Sequence, residues 1–356
     1  DGFCNFGDHY QPAEQDGEGV YQITNAGQLF WFAALVNGDT TYAEFDAQDT
    51  PAKAVLMKDI IIPEGRNWTP IGNYSTSDSL KYTGAFDGDG HTIQGMVVNN
   101  PNSDYQGLVG YLGEGGTIKD LTMGETCSVT GNKYVGGVCG EINSGTIQNC
   151  TNNGTVTGSG DDVGGICGYS CYGSIETCTN SGTVTGSSDN VGGICGYNEN
   201  GTLQNSTNEG NVKGYSDNVG GICGYSQGGS IQNCTNNGTA EISGSMEYYL
   251  GGICGQNNGG AIANCTNSGT IITSSSYAGG ICGGNYSGTI ASCTNNGAVT
   301  AGWSHNQGRA GDSLWPYTLY RYDAASDRYV QTALVDAWSR AYTEPLGLTE
   351  PFPEDI

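Results

Sequence analysis

The chain has 356 residues, of which 61 are glycine, and its 36 acidic and 11 basic side chains give a formal net charge of −25. This balance excludes nucleic acid as a partner, because binding to phosphate backbones depends on clustered Lys and Arg. Anionic membrane surfaces are disfavoured for the same reason. The sequence has no run of 18 apolar residues, so we expect no membrane-spanning helix and no membrane insertion.

The first predicted element is a helix in the segment TNAGQLFWFAALVNG, where Thr24 or Asn25 can serve as the N-cap. Leu29, Phe32 and Val36 form one apolar stripe, which neighbouring aromatic residues widen. A helix this apolar must be buried, so we predict that it caps one end of the fold. The stretches AVLMKDIII and TGAFDGDGHTIQGMVV then read as short strands that lead irregularly into the next region.

A repeat fills the middle of the chain. Each unit contains Gly-Gly-(Ile/Val)-Cys-Gly and, in its other half, a second anchor such as TIQNCTNNG. A degenerate earlier unit begins at GLVGY, with Val109 and Leu121 at the two cysteine positions. The units are 28 residues apart, except for one interval of 31. Their first anchors begin at Gly136, Gly164, Gly192, Gly220, Gly251 and Gly279.

Units so rich in Gly, Thr, Asn and Ser cannot sustain a helix. Clusters such as VGGIC, GTIQNC and GTVTG predict about three short strands per unit. One unit cannot bury its apolar side chains alone, whereas stacked units form a continuous core. We therefore predict an all-β fold, a right-handed single-stranded parallel β-helix (a solenoid), because left-handed forms use shorter hexapeptide triplets. Seven coils would make a rod about 34 Å long.

Beyond Trp303 the repeat stops. The segment PYTLYRYDAASDRYVQTALVDAWSRAY predicts a hairpin with a turn near residues 325–327 and a short helix at 335–342. The predicted organisation is thus an N-terminal cap helix with irregular first coils at 1–106 and repeats at 107–302. Residues 303–356 form a C-terminal cap or begin a further domain.

The unit YVGGVCGEINSGTIQNCTNNGTVTG resembles the GLUG motif of bacterial surface proteins, over about residues 107–302. The segment NWTPIGNYSTSDSLKYTGAFDGDGHTIQGM is similar to the stretch that often precedes such repeats. The resemblance implies an extracellular, cell-surface location and either an adhesin-like role or a stalk for a larger surface enzyme. This chain departs from the motif by placing Cys where Val, Ala or Tyr is more usual.

Eleven of the fourteen cysteines fall into two ladders, and Ser206 replaces cysteine once in the second ladder. Spacings of 11 and 28 residues do not supply the tight pairs of a zinc site, so we expect no metal centre. Disulfides between stacked coils are geometrically conceivable, but pairing within coils would leave Cys195 opposite Ser206, and pairing along the second ladder would leave one of its five thiols unpaired. We favour reduced thiols that pack as small hydrophobes.

Two polar series recur with the same spacing. The asparagine of each Thr-Asn pair, from Asn152 to Asn295, is expected to stack and hydrogen-bond along the rod rather than bind a ligand. Asp161, Asp189 and Asp217 would stack with their like charges close together. The preference of Asp for turns and its hydration explain this series; alternatively, bound Ca²⁺ would relieve the charge repulsion. We expect no cofactor, with Ca²⁺ as the alternative.

Three tyrosines, Tyr169, Tyr197 and Tyr225, follow the first anchor in consecutive units. A stack of exposed rings would hold a sugar or a partner protein, whereas partly covered rings would shield a corner of the coil. We favour shielding but retain these residues as the candidate ligand-binding site.

Catalytic groups are scarce in the repeats, where Lys213 is the only basic residue between Val135 and Gly302 and no histidine occurs. The aspartates repeat as identical turn residues, whereas glycan hydrolysis needs two carboxyls in different environments. We therefore predict a non-catalytic, monomeric bacterial surface protein that binds a host surface protein or glycan. The alternatives are a glycan-active β-helical enzyme of lyase or hydrolase type and the passive stalk of a larger enzyme.

Overall fold

The computed structural model is an all-β parallel solenoid of about eight turns with a single helix among its described residues, which confirms the predicted fold class. It describes residues 10–41, 43, 45–73, 80–243, 248–273, 275 and 277–301, together with the backbone of 317–323 and 328–335. The turns outnumber the seven predicted from the repeats, because strands between Ala85 and Asn99 stack on the repeats as well. The right-handed sense of the coil stays a prediction.

Each regular coil contains five short strands instead of the predicted three. The cluster VGGIC is divided by a corner, and a second corner separates the strand within GTIQNC from a further strand at the Thr-Asn pair that follows it. Residues at this second corner, such as Asn149 and Thr177, adopt a left-handed conformation with φ near 50°. Periodicity misses such corners because the apolar side chains on both sides of each corner point into the same core.

Five sheets therefore run along the solenoid, numbered here in the order in which one coil visits them. The first sheet contains Val135–Gly136, Val163–Gly164, Val191–Gly192, Val219–Gly220, Tyr249–Gly251 and Tyr277–Gly279. The second contains Val109–Leu112, Cys139–Asn143, Cys167–Cys171, Cys195–Glu199, Cys223–Gln227, Cys254–Asn258 and Cys282–Tyr286. The third contains Glu14–Gln15, Val20–Ile23, Lys53–Leu56, Ala85–Asp87, Thr117–Lys119, Thr146–Gln148, Ser174–Glu176, Thr202–Gln204, Ser230–Gln232, Ala261–Ala263 and Thr289–Ala291.

The remaining two sheets complete each coil. The fourth contains Ile60–Ile61, Thr92–Gln94, Thr122–Met123, Thr151–Asn152, Thr179–Asn180, Thr207–Asn208, Thr235–Asn236, Thr266–Asn267 and Thr294–Asn295. The fifth contains Val97–Asn99, Ser128–Gly131, Thr155–Gly158, Val184–Gly186, Val212–Gly214, Ala240–Ile242, Ile271–Thr273 and Val299–Ala301.

The predicted N-terminal helix spans Ala26–Asn37 and caps the first coils. Asn25 is its N-cap, because the Asn25 side chain accepts a hydrogen bond from the Gln28 backbone N–H at 3.0 Å. The helix ends at Gly38, which adopts the left-handed conformation with φ 68°. Nearly all of its side chains are buried. One of its rings, Phe30, lies 5.0 Å from the ring of Trp68 in the core.

The Gly-Gly-Ile-Cys string forms the corner between the first and second sheets. Ile166 and Cys167 are both fully buried, although neighbouring residues of a regular strand face opposite sides. The strand Val163–Gly164 ends before the corner, and the next strand begins at Cys167. A Cβ atom on Gly165 would lie 2.4 Å from Cγ of Asn180, which explains the glycine.

The cysteine ladders line the core. The first ladder is in register along the second sheet, and Val109 occupies its cysteine position in the early coil, as predicted. All cysteines of the described residues are free thiols, and only Cys171 and Cys293 are half-buried. Burial, followed by the neighbouring thiols, raises the pKa of Cys167 well above its ordinary value, so the thiol stays protonated.

The Thr-Asn series forms a continuous buried column, as predicted. Each asparagine Nδ2 donates to Oδ1 of the asparagine one coil further on, at 2.8–3.0 Å, and also to the carbonyl of the glycine two residues later. Both amide protons are therefore satisfied inside the core. Its members are Asn152, Asn180, Asn208, Asn236, Asn267 and Asn295.

Beyond the repeats the structure describes an antiparallel hairpin of Tyr317–Asp323 and Arg328–Val335, in agreement with the predicted hairpin. The short helix predicted at 335–342 falls outside the described residues, apart from Val335, which ends the second strand. The division at residues 106 and 302 remains a prediction.

We expect alkylation to distinguish the buried thiols from the partly accessible ones. In the native chain Cys171 and Cys293 should react with iodoacetamide well before the buried thiols of the two ladders, because those thiols are shielded from solvent. Mass spectrometry before and after unfolding checks this. Labelling of fewer than about ten of the 14 cysteines in denaturant without reductant would show that the ladders hold disulfides instead.

The amide column predicts a local stability cost. Asn208→Ala should lower the free energy of unfolding by about 2–3 kcal/mol, because the amide of Asn180 and the carbonyls of Gly210 and Asn236 would lose partners in the core. The matched control is Asn237→Ala, at an exposed neighbouring position. Urea denaturation measures both variants, and equal losses would refute the structural role of the column.

Candidate functional site

The three tyrosines singled out in the sequence lie in register on the second sheet. Tyr169 pairs with Tyr197, and Tyr197 with Tyr225, in strands of consecutive coils. Their ring centroids are 5.1 Å and 4.9 Å apart along the column. Each ring is half-buried, so one side packs against the solenoid while the other meets solvent.

Side chains of the next coil hold the hydroxyl groups of these rings. Tyr169 donates a short hydrogen bond to Glu199, and Tyr197 donates to Oε1 of Gln227 at 2.8 Å. The hydroxyl of Tyr225 accepts from Nδ2 of Asn258 at 3.2 Å. Burial, followed by Glu199, raises the pKa of Tyr169, so this phenol stays protonated. The rings are therefore fixed rather than free to rotate.

The column continues toward the N-terminal cap with rings that sequence reasoning missed. Tyr134 lies 5.5 Å from Tyr169, and Tyr105 lies 4.9 Å from Tyr134. Tyr105 in turn stacks on Tyr111 at 5.9 Å. The amide of Asn143 donates to the hydroxyl of Tyr111 at 3.2 Å.

Further rings occupy the same side toward the other end. Tyr249 stacks on Tyr277 at 4.8 Å, and its hydroxyl lies 2.6 Å from that of Tyr286. A Cβ atom on Gly284 would lie 2.7 Å from the ring of Tyr249. The ring of Tyr249 therefore covers Gly284, where other coils carry a side chain. We call the set the tyrosine face; it comprises Tyr105, Tyr111, Tyr134, Tyr169, Tyr197, Tyr225, Tyr249, Tyr277 and Tyr286.

Two positions of the repeat share the task of supplying rings. One position lies directly before Val135 and carries Tyr134, and its equivalents in the last two coils are Tyr249 and Tyr277. In these three coils the second-sheet position carries Glu141, Gln256 and Gly284, respectively. In the intervening coils the second-sheet position carries tyrosine instead. This complementarity is visible in the sequence once the register is known. Without the register, the two positions seem unrelated, so only the consecutive rings were predicted.

Two buried carboxyls lie beside the tyrosine face. Glu141 is 8% exposed, and burial raises its pKa from 4.5 to about 7, against the opposing effects of Tyr111 and Lys81. Asp162 is 5% exposed, and burial likewise raises its pKa from 3.8 to about 7, although Nδ2 of Asn190 donates to its Oδ1 at 2.8 Å. Neither carboxyl belongs to the repeated aspartates considered in the sequence, so these distinct environments were not predicted.

The aspartate series suggested as a Ca²⁺ alternative is engaged in hydrogen bonds. Lys133 lies 2.7 Å from Asp161, whose other oxygen accepts from the hydroxyl of Ser188 at 2.5 Å. Asp189 accepts from Ser216 at 2.5 Å in the same way. Within the described part of the chain, no three His, Cys, Asp or Glu side chains form a group suited to a metal ion. Ca²⁺ binding thus remains an untested alternative.

The repeat itself identifies the architecture. A known repeat, described as "The GLUG motif", matches residues 131–157, 187–213, 215–241 and 246–272. Four stretches of the solenoid are thus GLUG motif repeats. These stretches all lie within the region in which the sequence resemblance was noted.

Two curated relatives resemble part of this chain. Halomucin of Haloquadratum walsbyi is 42% identical over 96 residues, and a protein of Evansella cellulosilytica named "Putative Gly-rich membrane protein" is 32% identical over 88 residues. These alignments cover 27% and 24% of this chain, but only 1% and 10% of the relatives' own lengths. No helix in the described residues is long and apolar enough to cross a membrane.

A solved structure shares the fold. It is described as a crystal structure of "a putative immunoglobulin A1 protease" from Bacteroides ovatus and aligns with a TM-score of 0.55. The alignment covers 85% of this chain and 84% of the other chain at 20% identity. This likeness concerns the GLUG solenoid as a fold and assigns no activity.

The buried Asp162 carboxyl predicts a pH-dependent stability. Because its folded pKa of about 7 lies above the ordinary 3.8, its stabilising contribution is complete below about pH 4 and is lost as the pH rises to about 7. The loss is about 1.4 kcal/mol per pH unit at most. Asp162→Asn should remove this carboxyl's contribution to the decline and leave that of Glu141, whose pKa is also raised to about 7. The variant should fold, because Asn190 and Asn218 hold the equivalent position with the same left-handed backbone.

Urea denaturation between pH 4 and pH 8 measures this effect. The control Asp161→Asn should keep the decline, since hydrogen bonds from Lys133 and Ser188 outweigh burial and hold the pKa of Asp161 below its usual value. An unchanged profile in Asp162→Asn would show that the buried carboxyl does not cause the dependence.

Proposed function

We propose that this chain is a non-catalytic, extracellular module of a bacterial surface protein that binds a glycan or a host surface protein through its tyrosine face. The observation that carries the proposal is the continuous row of half-exposed rings, which runs over several coils on one side of the solenoid. Aromatic side chains with one apolar surface and one polar end are favoured at binding surfaces. The two relatives, halomucin and a Gly-rich membrane protein by name, support a cell-surface context.

The geometry favours an extended ligand that lies along the solenoid axis. Rings recur once per coil between Tyr134 and Tyr225, at centroid distances of 4.9–5.5 Å. A chain of sugars or an extended peptide would meet ring after ring, while Gln227 and Asn258 offer amide groups at the edge. The net charge of −25 disfavours polyanionic ligands, so we expect a neutral or basic one.

Fixed rings reduce the entropic cost of binding. Because Glu199, Gln227 and Asn258 already anchor the hydroxyl groups, little side-chain freedom is lost when a ligand covers the rings. Rings that only shield the corner of the coil would be held by the same hydrogen bonds. Ligand binding and shielding therefore differ in whether the exposed ring surfaces contribute to affinity.

Binding should be lost when the central rings are removed. The variant Tyr169→Ala/Tyr197→Ala/Tyr225→Ala should weaken binding to any glycan or host protein found on arrays by about two orders of magnitude, at about 1 kcal/mol per ring. Tyr172→Asn is the control, because it removes a tyrosine that is 64% exposed elsewhere while its left-handed backbone accepts Asn. Circular dichroism verifies that both variants fold.

Two outcomes would overturn the proposal. Unchanged affinity in the triple variant would place binding elsewhere. If no ligand is found, the passive stalk is the alternative, in which the repeats act as a spacer in a longer protein. The alignment with only 1% of the length of halomucin supports this alternative.

An enzyme is the second candidate, and Glu141 is the observation in its favour. A carboxyl with a pKa of about 7 is suited to act as a general acid in glycan hydrolysis. Reducing-end assays on neutral glycans would detect this activity, and Glu141→Gln would abolish it. A glycan that binds without being cleaved would support the non-catalytic module.

A further inference from the structure

A separate concave site lies at the N-terminal cap, away from the tyrosine face. It is a cavity of about 480 Å³ between the capping helix, the strand Val20–Ile23 and the loop that follows the helix. This volume is in the range of small-molecule sites. Three of its lining residues are aromatic and two are acidic: Tyr21, Trp31, Phe45, Asp46 and Asp49.

The aromatic rings form angled walls. The rings of Tyr21 and Trp31 lie 5.3 Å apart with an interplanar angle of 65°, so their faces point in different directions. Trp31 is 5% exposed and is anchored in the core, whereas Tyr21 and Phe45 are half-buried. These three rings give the cavity an aromatic lining, and aromatic rings attract cations.

Backbone contacts hold the loop against the end of the helix. Nε2 of Gln48 donates to the carbonyl of Val36 at 2.9 Å, and the backbone N–H of Asp49 donates to the carbonyl of Leu35 at 3.2 Å. A Cβ atom on Gly38 would lie 3.1 Å from the Gln48 side chain, so the glycine permits this approach. The cavity is therefore built by packed elements rather than by an open loop alone.

Every electrostatic feature of the cavity favours a cation. Asp46 and Asp49 line it, and no Lys, Arg or His does. The C-terminal end of the helix lies there as well, and its dipole favours a positive charge, while the carbonyls of Leu35 and Val36 already accept hydrogen bonds from the loop. Burial, followed by the charge of Asp49, raises the pKa of Tyr21.

We propose that this cavity binds a small organic cation of the quaternary ammonium class. Such a cation combines an apolar surface with a diffuse positive charge, which ring faces and nearby carboxylates recognise together. A metal ion would require several oxygen ligands, and this cavity has only two carboxylates among its aromatic walls. A neutral ligand would gain no attraction from the two carboxylates, of which Asp46 is exposed and Asp49 half-buried.

Choline and its uncharged carbon isostere, 3,3-dimethylbutan-1-ol, test the proposal directly on the full chain. Isothermal titration calorimetry should show saturable choline binding with a dissociation constant near or below about 1 mM. The isostere should bind at least about tenfold more weakly, because it keeps the shape and loses the charge.

Substitutions assign the binding to this cavity. Phe45→Leu keeps an apolar side chain and removes a ring face, and Asp49→Asn removes a charge, so each should weaken choline binding by about five- to tenfold. The matched controls Tyr172→Asn and Glu114→Gln remove an exposed ring and an exposed carboxylate outside the cavity, and they should change nothing. Equal affinities for choline and its isostere, unchanged affinity in both cavity variants, or no saturable binding would each overturn the proposal.

Discussion

In-register pairing between consecutive coils is the constraint on which the rest of this structure depends. Backbone hydrogen bonds join each strand to its equivalent one coil away, so each position of the repeat becomes a column along the axis. A side chain is then surrounded above and below by copies of itself. The chemistry of a column must therefore be compatible with self-contact, which thiols, amides and aromatic rings satisfy in different ways.

The columns show how such self-contact is resolved. Carboxamides suit a buried column because each one both donates and accepts, as Asn180 does with its two neighbours. Thiols suit it because they are small and weakly polar. Carboxylates do not, and the column that contains Asp162 continues as Asn190 and Asn218, which replaces charge repulsion with hydrogen bonds. Tyrosines resolve the problem at the surface, where rings stack and hydroxyl groups find partners in the next coil.

Much of this arrangement could be predicted from the sequence. Repeated Thr-Asn and Gly-Gly-Ile-Cys strings report their own register, and the run from Leu29 to Val36 reveals a buried helix without any knowledge of the fold. The corners were missed because Ile166 and Cys167 are both buried, a pattern that no regular strand produces. The raised pKa values of Glu141 and Asp162 were missed because burial depends on neighbours from other coils. The cavity beside Trp31 was missed because it joins segments without a common motif.

The asparagine column also limits how this fold can change its length. Asn236 and Asn267 are 31 residues apart, whereas the other neighbours are 28 apart, yet their amide contact of 2.8 Å is preserved. The three additional residues are thus accommodated outside the column. They lie between the strands Ala240–Ile242 and Tyr249–Gly251, so insertions can accumulate between strands during evolution. Growth along the axis must proceed by duplication of whole coils, since a partial duplication would shift every amide out of line.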